Sequence, residues 1–293
     1  MNANNHQFKV GAFDCWVVSD GSFAYPHPVQ TLFVNAPPDA LAQTLKTHNL
    51  DPTQWETYVS PYAGLVINTG QARILIDTGA GDFAPTTGKL LPNLRAIGFR
   101  PDEIDLVILT HAHADHIGGN LDEAGRPAFP NAKYVMLQTE WDYWTSAPDL
   151  SALKVPDHLK QVLLTFVEKS LVPLADQIEL ISDGTEIVPG IEAIAAPGHT
   201  PGHMAVSITS NGQHFLNLVD TVVHPIHLEQ PGWCIATDTD IDQTIATRRR
   251  LFERAIATDA LVYAFHFPAP SLGYIVPQGA AWRWQPTADK TFN

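Results

Sequence analysis

His111, His113, Asp115 and His116 fall within the run Thr110-His-Ala-His-Ala-Asp-His-Ile-Gly-Gly119. Imidazole and carboxylate are the usual ligands of zinc and its transition-series neighbours, and a single turn has little other use for four of them. The apolar run Asp105-Leu-Val-Ile-Leu109 just before it reads as a buried strand. The ligand-type residues therefore stand where a strand ends and the chain turns, which is where α/β enzymes place their chemistry. The motif marks the chain as an enzyme and requires a fold that gathers strand ends.

Bulk properties narrow the partners. A chain of 293 residues, 45% hydrophobic and 16% charged, reads as globular with one large core or two modest ones. No stretch approaches the ~18 consecutive apolar residues of a membrane span, so none is expected. The opening Met1-Asn-Ala-Asn-Asn-His-Gln7 has neither a basic nor an apolar region, so no secretory signal is read there. Cys15 and Cys234 lack CxxC spacing and read as two buried free thiols of an intracellular chain. A cytoplasmic location is the expectation. The net charge of −14 argues against nucleic acid and other polyanions, since phosphate binding needs clustered Lys and Arg. The one basic run, Arg248-Arg249-Arg250, lies on an expected helix over 241–256 and reads as its solvated face. A neutral or mildly polar small molecule fits better as the partner.

Residues 8–18 alternate loosely and end at Ser19-Asp-Gly21, a turn signal. The Pro- and aromatic-rich stretch 23–38 reads as a long loop or short hairpin. Helical spacing with Asp39 in the first turn predicts a helix from 38 to 45. Two strands of a hairpin are expected over 65–70 and 73–79, then a helix over 89–98 ended by glycine. Beyond the His-rich turn, strands are expected over 133–137, 178–181, 191–196, 204–209, 214–218 and 261–265. Helices are expected over 138–145 and 157–170. The order implies two β-rich halves between helices, within one domain over 1–293. Residues 20–60 read as an N-terminal loop region that shapes the pocket or a dimer contact.

Three further residues of ligand type close strands downstream. They are His199 in Ala196-Pro-Gly-His-Thr-Pro-Gly-His203, Asp220 after Phe215-Leu-Asn-Leu-Val219, and His266 after Leu261-Val-Tyr-Ala-Phe265. Singly, each reads as an ordinary polar or turn residue. Jointly, HxHxDH, then GH, then Asp and His at strand ends follow the ligand order of the metallo-β-lactamase fold superfamily. The sequence resembles that superfamily from about residue 10 to residue 275. Asp77, in Ile74-Leu-Ile-Asp-Thr-Gly79, matches its acidic residue near the site. The resemblance implies an α+β fold, a four-layer αββα sandwich. It also implies two divalent metal ions, zinc first, with Mn, Fe or Co as alternatives. His111, His113 and His199 would hold one ion and Asp115, His116 and His266 the other, with Asp220 bridging. A metal-bridged hydroxide would then be the nucleophile, which agrees with the absence of a GxSxG motif.

Several branches fit poorly. Flavodiiron-type members carry Glu where His113 stands, and the commonest zinc β-lactamases have Cys at the position of Asp220 and lack His116. Glyoxalase II-like thioesterases need a helical domain for which the stretch after His266 is too short, and transfer-RNA nucleases need a basic surface. The chain is similar to the branch of methyl parathion hydrolase-like enzymes and quorum-quenching N-acyl homoserine lactonases. The carriers are Ser19-Asp-Gly-Ser-Phe-Ala-Tyr-Pro26, Val219-Asp-Thr-Val-Val-His-Pro225 and His266-Phe-Pro-Ala-Pro-Ser-Leu-Gly-Tyr274. The expected reaction is hydrolysis of a lactone or carboxylic ester, with phosphotriester hydrolysis or a weakly catalytic binding role as alternatives. Asp115, Asp220 and His224 are the catalytic candidates, Asp115 as a proton relay. The best-known lactonases place Tyr where this chain has Val223. Either His224 takes over that polar role or the metals act alone; His224 also reads as an ordinary packed or surface histidine. His203 is a candidate partner of a ligand. The pocket is expected from Phe23, Tyr25, Phe33, Trp55, Tyr58 and Tyr62, with Trp141, Tyr143 and Trp144 as a second wall. A homodimer fits this branch.

Overall fold

In the first of two sheets the strands follow one another in chain order. They are β1 (Asn5–Val10), β2 (Phe13–Pro26), β3 (Thr57–Asn68), β4 (Arg73–Ile76), β5 (Leu106–Ile108), β6 (Lys133–Leu137) and β7 (Ile178–Ile181). The second sheet comprises β8 (Glu186–Val188), β9 (Ile191–Ala195), β10 (Met204–Ser210), β11 (Gln213–Asn217), β12 (Leu261–Tyr263), β13 (Leu272–Gln278) and β14 (Ala281–Pro286), again in sequential order. The helices are α1 (Pro28–Leu32), α2 (Pro38–Thr47), α3 (Leu90–Ala96), α4 (Ala114–Ile117), α5 (Gln138–Thr145), α6 (Asp157–Phe166), α7 (Ile226–Glu229) and α8 (Ile241–Ala257). The structure, a computed structural model, describes residues 5–287. Residues 1–4, the start of the segment read as lacking a leader, lie outside the described residues.

Alternation along the strands sets the layers. Leu65, Ile67, Ile74 and Ile76 face inward with Ile108 and Leu137, where they meet Ile191, Val206, Ile208 and Phe215 of the second sheet. Val66, Leu75, Val107 and Met136 face outward, under Leu90 and Leu94 of α3 and Trp144 of α5. The other face of the second sheet, through Ile194, Ala205, Leu216 and Val262, is covered by Leu251, Phe252 and Ala255 of α8. Each fully buried aliphatic or aromatic side chain contributes about 1.5–3 kcal/mol, so these three apolar layers hold the sandwich. The result is the expected αββα arrangement.

Strand direction then places the chemistry. β4, β5 and β6 run parallel, so their C-terminal ends share one edge. In the second sheet β11 and β12 are parallel and β9 has the same sense, because β10 is antiparallel to both β9 and β11. The residues that follow β4, β5, β9, β11 and β12 include Asp77, His111, His199, Asp220 and His266. The Met204 amide donates to the Thr110 carbonyl at 2.9 Å and joins the two edges there.

Three expectations need correction. Residues 20–60 are not a loop region: β2 runs on to Pro26 and pairs with β3, with Pro26 opposite Thr57, and the connection holds α1 and then α2, the helix expected from 38 to 45. Ser19-Asp-Gly21 is a bulge within that strand and not a turn, with Gly21 at φ 125. The buried Asp20 carboxylate accepts from the amides of Ala80, Gly88 and Leu90, and burial pushes its pKa up to about 6. Second, β8, β13 and β14 were not anticipated, and the helix expected over 157–170 gives way after Phe166 to a π-helical turn. Third, Arg248 is buried, whereas Arg249 and Arg250 are exposed as expected.

Candidate metal centre

The seven ligand-type residues converge on one place. Potential ligand atoms of His111, His113, His199 and Asp220 lie within 4.8 Å of one another, and so do those of Asp115, His116, Asp220 and His266. Asp220 belongs to both groups. Its Oδ2 stands 3.0 Å from His266 Nε2 and 3.4 Å from His199 Nε2, while Oδ1 is 3.4 Å from His116 Nε2. Asp115 Oδ2 is 3.6 Å from His266 Nε2. His113 Nδ1 and His199 Nε2 stand 2.9 Å apart.

The outward ring nitrogens are held. Asp77 Oδ2 is 2.8 Å from His116 Nδ1, Asp238 Oδ1 is 2.9 Å from His199 Nδ1, and Ser60 Oγ is 2.9 Å from His266 Nδ1. Thr110 Oγ1 is 3.2 Å from His111 Nδ1, and Asp77 also accepts from the Thr110 amide and hydroxyl. Such partners fix both tautomer and ring direction. The Nε2 atoms of these four imidazoles are thereby left free to face the centre. Backbone strain accompanies this: Asp77 has φ 60 and Val219, beside Asp220, has φ 50. A β-branched residue at positive φ persists only where its surroundings over-determine it.

Nε2 of His111, His113 and His116 and Oδ1 of Asp220 are buried without a hydrogen-bond partner. Buried polar atoms are normally satisfied, so the orphans that face Asp220, Nε2 of His111 and of His116, together with Asp220 Oδ1 itself, indicate a cation site, towards which His113 turns its Nδ1, 2.9 Å from His199 Nε2. The charge balance fits. Burial holds His111 and His113 well below their ordinary pKa. Burial also opposes a charge on His116, but Asp220, Asp115 and Asp77 overcome it and raise that pKa. Burial disfavours the Asp220 carboxylate, yet His266 and His116 outweigh it and hold its pKa well below the carboxylate range. The N/O donor set, with no thiolate, suits zinc, manganese, iron or cobalt.

The remaining expectations divide. His203 accepts the Asp220 amide at Nε2 at 3.2 Å and is pulled down to about 3 by burial. His224 is buried against Phe33, Trp55 and Tyr58, and its Nδ1 accepts the Ile226 amide at 3.2 Å. That bond assigns the ring proton to Nε2. Tyr58 joins this cage to the centre by donating to the His266 carbonyl at 2.7 Å. Tyr25 and Tyr62 lie beside the His266 ring, at 6.2 and 5.7 Å between centroids. Trp144 stands 5.7 Å from His113, whereas Trp141 and Tyr143 pack into the outer apolar layer. Asp238, Ser60 and Glu140 escaped the sequence reading. The buried Glu140 accepts from the Ala112 amide and Trp144 Nε1 with one oxygen, and from the Thr200 hydroxyl and Gly202 amide with the other. It thus clamps the His111–His113 turn to the His199–His203 turn.

The family profile of the Metallo-beta-lactamase superfamily matches residues 58–265, and the chain belongs to that superfamily. It is 26% identical over 163 residues to N-acyl homoserine lactonase AiiA of Bacillus thuringiensis subsp. kurstaki, covering 49% of this chain and 56% of that protein. It is 28% identical over 187 residues to N-acyl homoserine lactonase AttM of Rhizobium radiobacter, covering 60% and 62%. Both matches span less than two thirds of the relative's length. The fold is similar to AidC, a dizinc quorum-quenching lactonase solved with a product, at TM-score 0.87 and 26% identity, covering 99% of this chain and 98% of that one. The hydrolase AbOPH matches at TM-score 0.84 and 26% identity, covering 100% and 99%.

Proposed function

We propose that the protein is a dinuclear metal-dependent hydrolase that opens a lactone or cleaves a carboxylic ester. The observation that carries this reading is the pair of donor groups sharing Asp220, with its orphaned imidazole nitrogens. His111, His113 and His199 would hold one ion, Asp115, His116 and His266 the other, and Asp220 both. When bound, the two ions supply a Lewis acid for the attacked carbonyl and lower the pKa of water towards neutrality. The rest falls to the protein. Asp115 is the most exposed of the seven, at 13% of its side chain, so its carboxylate stands at the mouth of the centre. From there it takes a proton from the attacking water and returns it to the departing alkoxide. The aromatic side chains beside His266 and around His224 give an apolar wall that suits an acyl tail.

The test is metal analysis of the purified protein together with rates on a homoserine lactone, phenyl acetate and a paraoxon-type ester. Two ions per chain are expected, with the lactone or the carboxylic ester turned over fastest. Chelation should abolish turnover and added zinc restore it. Full metal loading with no turnover of any of the three would sink the hydrolase reading, and preference for the phosphotriester would redirect it.

We infer that His224, whose Nε2 carries the ring proton, donates to the substrate carbonyl, the role open at Val223. One neutral hydrogen bond contributes about 0.5–1.5 kcal/mol, so His224→Phe should lower kcat/KM about tenfold at unchanged metal content. Parent kinetics in that variant would remove His224 from the catalytic set.

A further inference from the structure

Arg248 lies on α8 with 0% exposure. A guanidinium taken wholly out of water must find its partners within the protein. Those partners lie on the segments that build the candidate metal centre. Nε donates to the Thr221 carbonyl at 2.6 Å, next in sequence to Asp220. Nη1 donates to the carbonyls of Trp233 and, at 3.4 Å, Pro231. Nη2 is buried without a hydrogen-bond partner and stands 3.8 Å from Asp238 Oδ2. Asp238 in turn holds His199 Nδ1 with its other oxygen, and its Oδ2 accepts the Ile235 amide at 3.0 Å. Trp233 packs on Phe33, which also contacts His224.

We propose that Arg248 is a positioning residue of the metal centre, setting the Asp220 turn and the Asp238 carboxylate that orients His199. The proposal rests on the dinuclear reading above. The plainer alternative is a packing role, in which Arg248 only fastens α8 to the 231–238 segment. Chemistry favours the first. Packing alone is served as well by an apolar side chain of similar length. A planar fork with donors in several directions is needed to reach Thr221, Trp233 and Asp238 together.

The experiment compares the parent chain with Arg248→Met, Arg248→Lys and Asp238→Asn. Zinc affinity is read by chelator competition, and Tm is recorded with and without zinc. Partners that orient a metal-bound histidine typically change metal affinity about 10–100-fold, and a loss of that size is expected for one of two ions in Arg248→Met. The rise in Tm on adding zinc should shrink accordingly. Asp238→Asn should do the same, and combining it with Arg248→Met should cost less than the sum of the two, because they share the route through His199. If Arg248→Met does not fold, Arg248→Lys, which keeps the charge without the fork, carries the same comparison. A variant with lowered metal-free Tm but parent zinc affinity and the parent zinc-induced rise shows packing alone and overturns the inference. A parent chain that takes up no zinc overturns the dinuclear reading and this inference together. A parent that takes up two ions while every variant matches its affinity overturns only the inference.

Discussion

Asp220→Ala is expected to fold, to retain at most one metal ion per chain, and to hydrolyse its substrate about a thousandfold more slowly or worse, since each metal supplies several kcal/mol of transition-state stabilisation. Asp220 is the one residue common to both donor groups. Its two oxygens lie within 3.4 Å of imidazole nitrogens from three different segments, those of His116, His199 and His266. Removing it leaves a cluster of imidazoles with Asp115 as the remaining carboxylate, too little negative charge for two divalent ions side by side. Folding should survive for a specific reason. The side chain bonds only into the centre, through His266, while the backbone amide is held separately by His203. Metal analysis and steady-state rates decide the matter. Parent metal content together with parent rate would end the proposed mechanism.

The seven candidate ligands were legible because each follows an apolar run that reads as a strand, and parallel strands gather their ends. The residues that orient the ligands were not. Ser60 meets His266 across 206 positions and Asp238 meets His199 across 39, and nothing local marks either. Asp238 sits in a Thr-Asp-Thr-Asp run that reads as a helix start, and Asp240 does cap α8 by accepting the Gln243 amide. The 20–60 region was misread because Asp-Gly signals a turn in most settings, whereas here the aspartate is swallowed by the 80–90 loop and the glycine makes a bulge. Phe23 and Tyr25 already showed the two-residue spacing of a continuing strand. Arg248 was recoverable too. It stands four residues after Thr244, three before Leu251 and four before Phe252, all buried, so helical periodicity places it on the inner face. Weighing the triplet by composition hid a position that its phase would have revealed.

Glu140→Ala should be strongly destabilising, lowering Tm by roughly 10 °C or more. The carboxylate is fully buried and takes four donors. Burial pushes its pKa up, while the Thr200 hydroxyl, the Ala112 amide, the Trp144 indole and the Gly202 amide pull it back. Truncation strands all four donors at about 1–3 kcal/mol for each that water cannot reach. Space is also tight on one side: a Cβ on Gly202 would come within 2.1 Å of the Glu140 backbone nitrogen, so the two segments touch at this point. Glu140→Gln is the finer probe. Its amide group must face either the Ala112 and Trp144 donors, which are both fixed, or the Gly202 amide and the Thr200 hydroxyl, which can rotate to accept. The second orientation leaves one amide stranded, so the loss should be about 1–3 kcal/mol, well short of the alanine variant. Because the clamp ties the turn of His111 and His113 to that of His199, both variants should also bind the first metal more weakly, Ala more than Gln. Melting curves with and without zinc measure both effects. A glutamine variant with parent Tm would show that Glu140 fills space without clamping the two turns.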